Sequence, residues 1–259
     1  MNKIDLKFEE LKLKNKKALI PFIAVGYPSF GETVEMAKEL ERAGADIIDL
    51  GIPYSDPLAD GPVIEAAYND VLARGAKLNE ALECVGEITS TIDIPVIVMV
   101  YYNVIFCRGV EKFIENLSKL GVSWLIIPDV PLEEREELLS LCKEREISLI
   151  SLVAPTSKDR IKRITENSNG FIYCLSNVVT AGKQKTMNNN IKEYLEEVKA
   201  NTETPICVGF EKHYIETVKA YCDGIIIGSD VVKIINDGKS FEESKNNVFK
   251  FIIDINEIL

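Results

Sequence analysis

The chain is poor in the residues that build metal and disulfide sites. Its single histidine, His213, has no ligand at metal spacing around it, which argues against a zinc centre. Six cysteines stand at 84, 107, 142, 174, 207 and 222, and no two of them form a CxxC pair. Most lie in apolar segments, where a free thiol behaves as a small hydrophobe, so a reduced, cytoplasmic protein is expected rather than a disulfide framework. Positive charge is also scarce: 30 Lys and Arg face 41 Asp and Glu, for a net charge of −11. The basic residues are scattered along helical faces, so the clustered basic surface that nucleic acid requires is missing. No apolar run approaches the roughly 20 residues of a membrane span. The opening stretch MNKIDLKFEELKLKNKKA has no apolar core, so no secretory leader is expected.

What is present is a regular alternation. Short β-branched runs stand at 18–26, 46–52, 94–101, 122–129, 147–155, 170–176, 205–210 and 224–229. Longer Glu-, Lys- and Leu-rich stretches with helical periodicity lie between them, at 32–44, 62–91, 110–121, 131–146, 157–168, 191–200, 212–221 and 240–258. Gly44 and Gly121 end two of these just before the next strand, the usual left-handed stop. Apolar strands alternating with helices imply a parallel sheet covered on its outer face. Eight such units in 259 residues predict a single-domain (β/α)8 TIM barrel spanning 1–259. An N-terminal helix and a short extra helix after strand eight complete the prediction. A doubly wound sheet fits less well, because no GxGxxG follows the first strand. The polar stretch NVVTAGKQKTMNNN, 177–190, is the least regular; a mobile lid and a plain surface loop both suit its composition.

The second strand carries an acid in its middle. Alternate side chains share a face, so Ile47, Asp49 and Gly51 point one way and Ile48, Leu50 and Ile52 the other. The apolar set belongs against the helices, which directs Asp49 into the barrel near its C-terminal mouth, where active sites of this fold lie. An unpaired buried carboxylate is costly, so such a group pairs, shifts its pKa upward or does chemistry. The loop YSDPLADGP follows, stiffened at Pro53, Pro57 and Pro62. Asp56 and Asp60 both have turn contexts, yet Asp60 is also placed to return over the mouth that Asp49 enters. Two carboxylates in unlike environments can divide acid and base roles.

An anion site is predicted at the other side of the mouth. The last strand ends in Gly228 and Ser229, and SDVVKII opens a short helix whose N-terminal N–H groups favour phosphate. Gly182 after strand six and Gly209 at the end of strand seven allow close backbone approach. Phe22, Tyr101, Tyr102, Tyr173 and Phe210 fall near strand ends, while Trp124 is expected to pack.

Several segments, taken in order and spacing, identify a family. PFIAVGYPSF, GADIIDLGIPYSDPLADGPVI, VMVYYNVIF, IIPDVPLEE, LVAPTS and GIIIGSDVVKII resemble the α subunit of tryptophan synthase over essentially the whole chain. The resemblance implies a (β/α)8 barrel that splits indole-3-glycerol phosphate into indole and glyceraldehyde 3-phosphate, without metal or organic cofactor. It also implies a pyridoxal-phosphate β subunit as partner, in an α2β2 assembly, with indole passing between the subunits. Carried over by motif, the family's strand-two acid, which moves a proton at indole C3, falls on Asp49. The acid near the indole N–H falls on Asp60. The strand-six tyrosine falls on Tyr173, the apolar indole slot on Phe22, Met99, Ile126 and Phe210, and the phosphate-binding glycine and serine on Gly228 and Ser229.

The chain departs from the family at three places. The family has glutamate where Asp49 stands, a deficit on the order of 1 Å in reach, and a misplacement of that size can cost about a hundredfold. The family's GVTG after strand six reads VVTAG here, so that only Gly182 matches without a gap and the lid threonine falls on Ala181, or on Thr180 after a one-residue slip. The family's GFG after strand seven reads GFE, which puts Glu211 near the phosphate site. Two further readings follow from these departures and from the fold: an α-like subunit that mainly binds and regulates β, and a barrel enzyme acting on another sugar phosphate.

Overall fold

The computed structural model describes residues 3–180, 183–186 and 191–259, with side chains described outside 177–190. Helix α1 (Lys3–Leu13) precedes strand β1 (Ala18–Ala24), helix α2 (Phe30–Arg42) and strand β2 (Ile48–Gly51). Two helices follow, α3 (Pro62–Ala73) and α4 (Leu78–Thr91), then β3 (Val96–Met99), α5 (Tyr102–Arg108), α6 (Val110–Lys119) and β4 (Trp124–Ile126). Next come α7 (Glu136–Glu144), β5 (Ser148–Leu149), β6 (Ser151–Val153), α8 (Ile161–Thr165) and β7 (Ile172–Cys174). A short ribbon, β8 (Asn177–Thr180) and β9 (Lys183–Thr186), leads into α9 (Ile191–Ala200), β10 (Ile206–Gly209) and α10 (Ile215–Val218). The chain closes with β11 (Gly224–Ile227), α11 (Ser229–Asp237) and α12 (Phe241–Asn256).

Nine strands form one parallel sheet in the order β5-β4-β3-β2-β1-β11-β10-β7-β6. Its two ends, β5 and β6, are halves of one extended run broken only at Ile150. The first half pairs with β4 and the second with β7. Ile150 itself donates its N–H to the Leu125 carbonyl at 2.9 Å. The sheet therefore closes on itself as the barrel of eight staves that the alternation predicts.

Strand parity sorts the core into two layers. Ile48, Leu50 and Ile52 pack outward among the helices. Ile20, Phe22, Ile47, Ile97, Met99, Trp124, Ile126, Phe171, Cys207 and Ile226 fill the lumen. Helix α1 closes the N-terminal end of that lumen: Ile4, Phe8 and Leu11 join the inner layer, and the Phe8 ring lies 5.9 Å from that of Phe171. Local chemistry sets the helix starts. Ser29 accepts from the Glu32 N–H at 3.3 Å and donates to the Glu32 carboxylate at 2.8 Å, an S-x-x-E capping box.

Two expectations need correction. The stretch 62–91 is two helices, because Gly75 takes a φ of +82° right after α3. Residues 102–108, which lie between the strand expected over 94–101 and the helix expected over 110–121, form α5; Asp129 accepts the Tyr102 N–H at 2.8 Å and starts that helix. The described part of the expected lid contains an antiparallel ribbon, with Asn177 opposite Thr186 and Thr180 opposite Lys183. The β-branched run VVT supplies its strand propensity. Ala181 and Gly182 lie outside the described residues. Among the described residues no helix is long and apolar enough to cross a membrane, and no three His, Cys, Asp or Glu side chains gather as a metal site.

Candidate active site

At the C-terminal mouth of the barrel lies a cavity of about 270 Å³. Phe22, Ile64, Met99, Ile226 and Phe210 supply apolar wall, and Ala59, Asp60 and Gly61 close one side. Tyr173, Leu175 and Ser176 line another side. Gly209, Gly228 and Ser229 line the rim, with Glu211, His213 and Tyr214 beside them. The size and the mixture of flat apolar wall with a few polar groups suit a small aromatic ligand with a polar tail.

Asp60 is held from below. The Tyr101 hydroxyl donates to Asp60 Oδ2 at 2.7 Å and accepts the Ala59 N–H at 3.0 Å. Tyr54 stacks on Tyr101, with ring centroids 5.0 Å apart and planes at 25°. The proline-stiffened loop is thus pinned at two points to the end of β3, and Asp60 returns over the mouth. Burial pushes its carboxyl up to about 6, and the Tyr101 hydrogen bond pulls the other way.

Asp49 faces the lumen, as its parity requires, and is 1% exposed. Neither of its oxygens has a hydrogen-bond partner. Burial, and then the charge of Asp60, push its carboxyl well above the usual range, which keeps it neutral where an ordinary aspartate is ionised. Asp49 does not line the cavity; it is the ladder partner of Phe22, which does.

The remaining expected residues divide in the same way. Phe22, Met99, Tyr173 and Phe210 reach the cavity, whereas Ile126 is fully buried in the lumen away from it. Gly209 gives the Tyr173 hydroxyl its room: a β-carbon there would lie 3.0 Å from that oxygen. Gly209, Gly228 and Ser229 share the rim, and Gly182 falls outside the described residues. Gly228 packs against Ile64 and Phe22, where a β-carbon would stand 3.1 Å from Ile64 Cδ1. It precedes α11, whose first regular hydrogen bond runs from the Val232 N–H to the Gly228 carbonyl at 3.0 Å. The earlier N–H groups of that turn therefore have no intrahelical acceptor, and groups of that kind favour an anion.

Glu211 is exposed and lines the same rim. Its carboxylate is not left alone there: Lys233 Nζ lies 3.9 Å from one oxygen and His213 Nδ1 3.6 Å from the other. Tyr101 was legible as an aromatic at a strand end. Its role was also readable from parity, since Ile97, Met99 and Tyr101 alternate inward. His213, Tyr214 and Lys233 come together through turns and a helix face that no strand or helix period displays.

The family described as tryptophan synthase alpha chain matches residues 8–257. The tryptophan synthase alpha chain of Clostridium beijerinckii is 47% identical over 243 residues, covering 92% of this chain and 94% of that protein. A crystal structure of tryptophan synthase subunit alpha from Legionella pneumophila superposes with a TM-score of 0.84 at 30% identity, covering 98% of this chain and 99% of that one. A crystal structure of tryptophan synthase from M. tuberculosis gives a TM-score of 0.86 at 28% identity, covering 98% and 99%.

Proposed function

This chain belongs to the tryptophan synthase alpha chain family, and from that premise we propose that Asp49 and Asp60 divide the proton chemistry of its lyase reaction. The reaction is the retro-aldol cleavage of indole-3-glycerol phosphate to indole and glyceraldehyde 3-phosphate. It needs a proton on indole C3, support for the positive charge that then develops at the ring nitrogen, and loss of the proton from the glycerol hydroxyl next to the breaking bond. The bond's electron pair returns to the indole ring as the aldehyde forms.

The observation that carries the assignment is the pairing of two unlike carboxyls that feel each other's charge at the barrel mouth, Asp60 on the cavity wall and Asp49 buried in the lumen. Asp49, buried without a partner, is held protonated and serves as the acid toward C3. Asp60, fixed by Tyr101, is ionised near neutral pH and accepts from the indole N–H. Phe22, Met99 and Phe210 sandwich the ring, and Tyr173 presents its hydroxyl to the same space. The phosphate end lies on the N–H groups around Gly228 and Ser229, with Gly209 beside them. Gly182 and Ile126 complete the set carried over from the family motif.

Steady-state release of indole from indole-3-glycerol phosphate tests the reading. Asp60→Asn is expected to lower kcat/KM by a hundredfold or more, and retention of wild-type turnover would remove Asp60 from the chemistry. Asp49→Glu extends the acid by one methylene toward the cavity and is expected to raise kcat.

The partner is a tryptophan synthase β subunit, in an α2β2 assembly. Leu58 and Phe106, 72% and 66% exposed, stand on the mouth side of the barrel, on the loop after β2 and on α5. Large exposed apolar side chains beside an active-site opening suit a docking face. The buried position of Asp49, off the cavity wall, favours a second reading, in which the lyase is slow alone and the chain acts mainly as an activator of β. Serine-plus-indole turnover by β, with and without the chain, separates the two: activation with no indole release from indole-3-glycerol phosphate supports the second.

A further inference from the structure

Inside the lumen a second polar group shares the condition of Asp49. Tyr68 is fully buried, and its hydroxyl, like both Asp49 oxygens, has no hydrogen-bond partner. The residue lies on α3 one turn after Ile64, which lines the cavity, and its ring meets the edge of Phe22 at 6.4 Å. The hydroxyl stands directly over Gly51, where any β-carbon would collide with it and with the Phe22 ring. Gly51 is two residues beyond Asp49 and on the same face of β2. The phenol therefore lies one layer from Asp49 on the inward face of β2, toward the barrel mouth. Its own pKa is raised by burial and then by the charges of Asp60, Tyr101, Asp49 and Tyr173, so it stays protonated and remains a donor.

We infer that Tyr68 is a positioning residue for the lyase reaction, its hydroxyl donating to the Asp49 carboxylate at the moment that acid has given up its proton. The inference rests on the assignment of Asp49 and Asp60 above. An orphaned hydroxyl and an orphaned carboxyl in one closed space are both unfavourable in the resting protein. A phenol donor pairs far more strongly with a carboxylate than with a neutral carboxyl. In the step, the proton passes from the Asp49 carboxyl to indole C3. Tyr68 keeps its proton and turns its O–H toward the carboxylate left behind. When the carboxyl recovers a proton, the bond is released. No further reactant is required. Because the bond strengthens when Asp49 becomes ionised, it acts on kcat and leaves KM nearly untouched.

Tyr68→Phe keeps the ring and its packing on Phe22 and deletes only the hydroxyl over Gly51. The expected result is a fall in kcat of about tenfold or more, the size of a charge-assisted hydrogen bond made only in the transition state. KM is expected within twofold of wild type. The basic limb of the kcat–pH profile, where Asp49 loses its proton, moves to higher pH, because the carboxylate has lost a donor. The melting temperature is unchanged or higher, since the deleted group had no partner. In an Asp49→Asn background the same substitution produces no further loss. Wild-type kcat with an unmoved basic limb in Tyr68→Phe would overturn the inference, and so would a lowered kcat that comes with a lowered melting temperature. Asp60→Asn and Asp49→Asn, assayed in parallel, separate the two layers of argument. If both keep wild-type turnover, the site assignment itself falls; if both lose it while Tyr68→Phe does not, only the role of Tyr68 falls.

Discussion

The Tyr101 hydroxyl and the Asp60 carboxylate are joined at 2.7 Å, and the same hydroxyl accepts the N–H of Ala59 at 3.0 Å. One phenol thus fixes both the charge state and the position of the acid on the loop. The bond favours the ionised form and opposes the burial that lifts Asp60 to about 6.

Removing that bond has a signed consequence. Asp60 must be ionised to accept from the indole N–H, so kcat/KM is expected to rise through an acidic limb near pH 6. Tyr101→Phe deletes the hydrogen bond that lowers the pKa, so the limb moves to higher pH, and the freed loop lowers the plateau. A pH–rate profile of both proteins reads the shift; a limb moving downward would contradict this account.

The same raised carboxyls make stability depend on pH. Asp60 and Asp49 have folded-state values above the usual carboxylate range, so the folded protein binds protons that the unfolded chain has released. The contribution of each is complete below the unfolded pKa of about 4; that of Asp60 is lost as pH rises through about 6, and that of Asp49 as pH rises through its own raised value. Thermal melts from pH 4.5 to 7 are expected to show a decline that is shallower in Asp60→Asn.

Lys233 offsets Glu211 at the rim of the cavity, 3.9 Å away. Lys233→Ala leaves the Glu211 carboxylate closer to uncompensated beside the Gly228–Ser229 turn, and KM for the phosphate ester is expected to rise severalfold with little change in kcat. Glu211→Gln is expected to lower KM. Salt weakens both effects, because the pair is exposed.

At the opposite end of the barrel, Gly170 has a φ of +72°, and a β-carbon on it would stand 2.6 Å from the Trp124 ring. Gly170→Ala combines a left-handed backbone with overpacking and is expected to cost about 2–4 kcal/mol. The chain's single tryptophan reports on the event directly, so unfolding followed by Trp124 fluorescence checks it.

The barrel was legible because its signal is periodic. Outward Ile48, Leu50 and Ile52 and inward Asp49 alternate on a two-residue period, and that alone placed the acid in the lumen. The stiff loop with three prolines similarly announced that Asp60 would be held in one place. What the sequence did not display depends on contacts between segments far apart in the chain. Asp49 lies off the cavity wall beside its ladder partner Phe22, which reaches that wall, and no strand period reports the depth of a layer. The helix Tyr102–Arg108 belonged to neither the strand nor the helix that the pattern displayed, because its start is set by Asp129, 27 residues away. The unpartnered hydroxyl of Tyr68 has no sequence signature, since a tyrosine on the apolar face of a helix looks like any other core aromatic.

Helix α1 stops the barrel from below with Ile4, Phe8 and Leu11. With that end plugged by apolar side chains and Asp49 only 1% exposed, the carboxyl there is expected to trade its proton toward the mouth. With indole seated over the mouth, the hydrogen set down on carbon and the one collected from the glycerol hydroxyl are expected to pass with little contact with bulk solvent. That geometry favours return of the original hydrogen over its replacement from the medium.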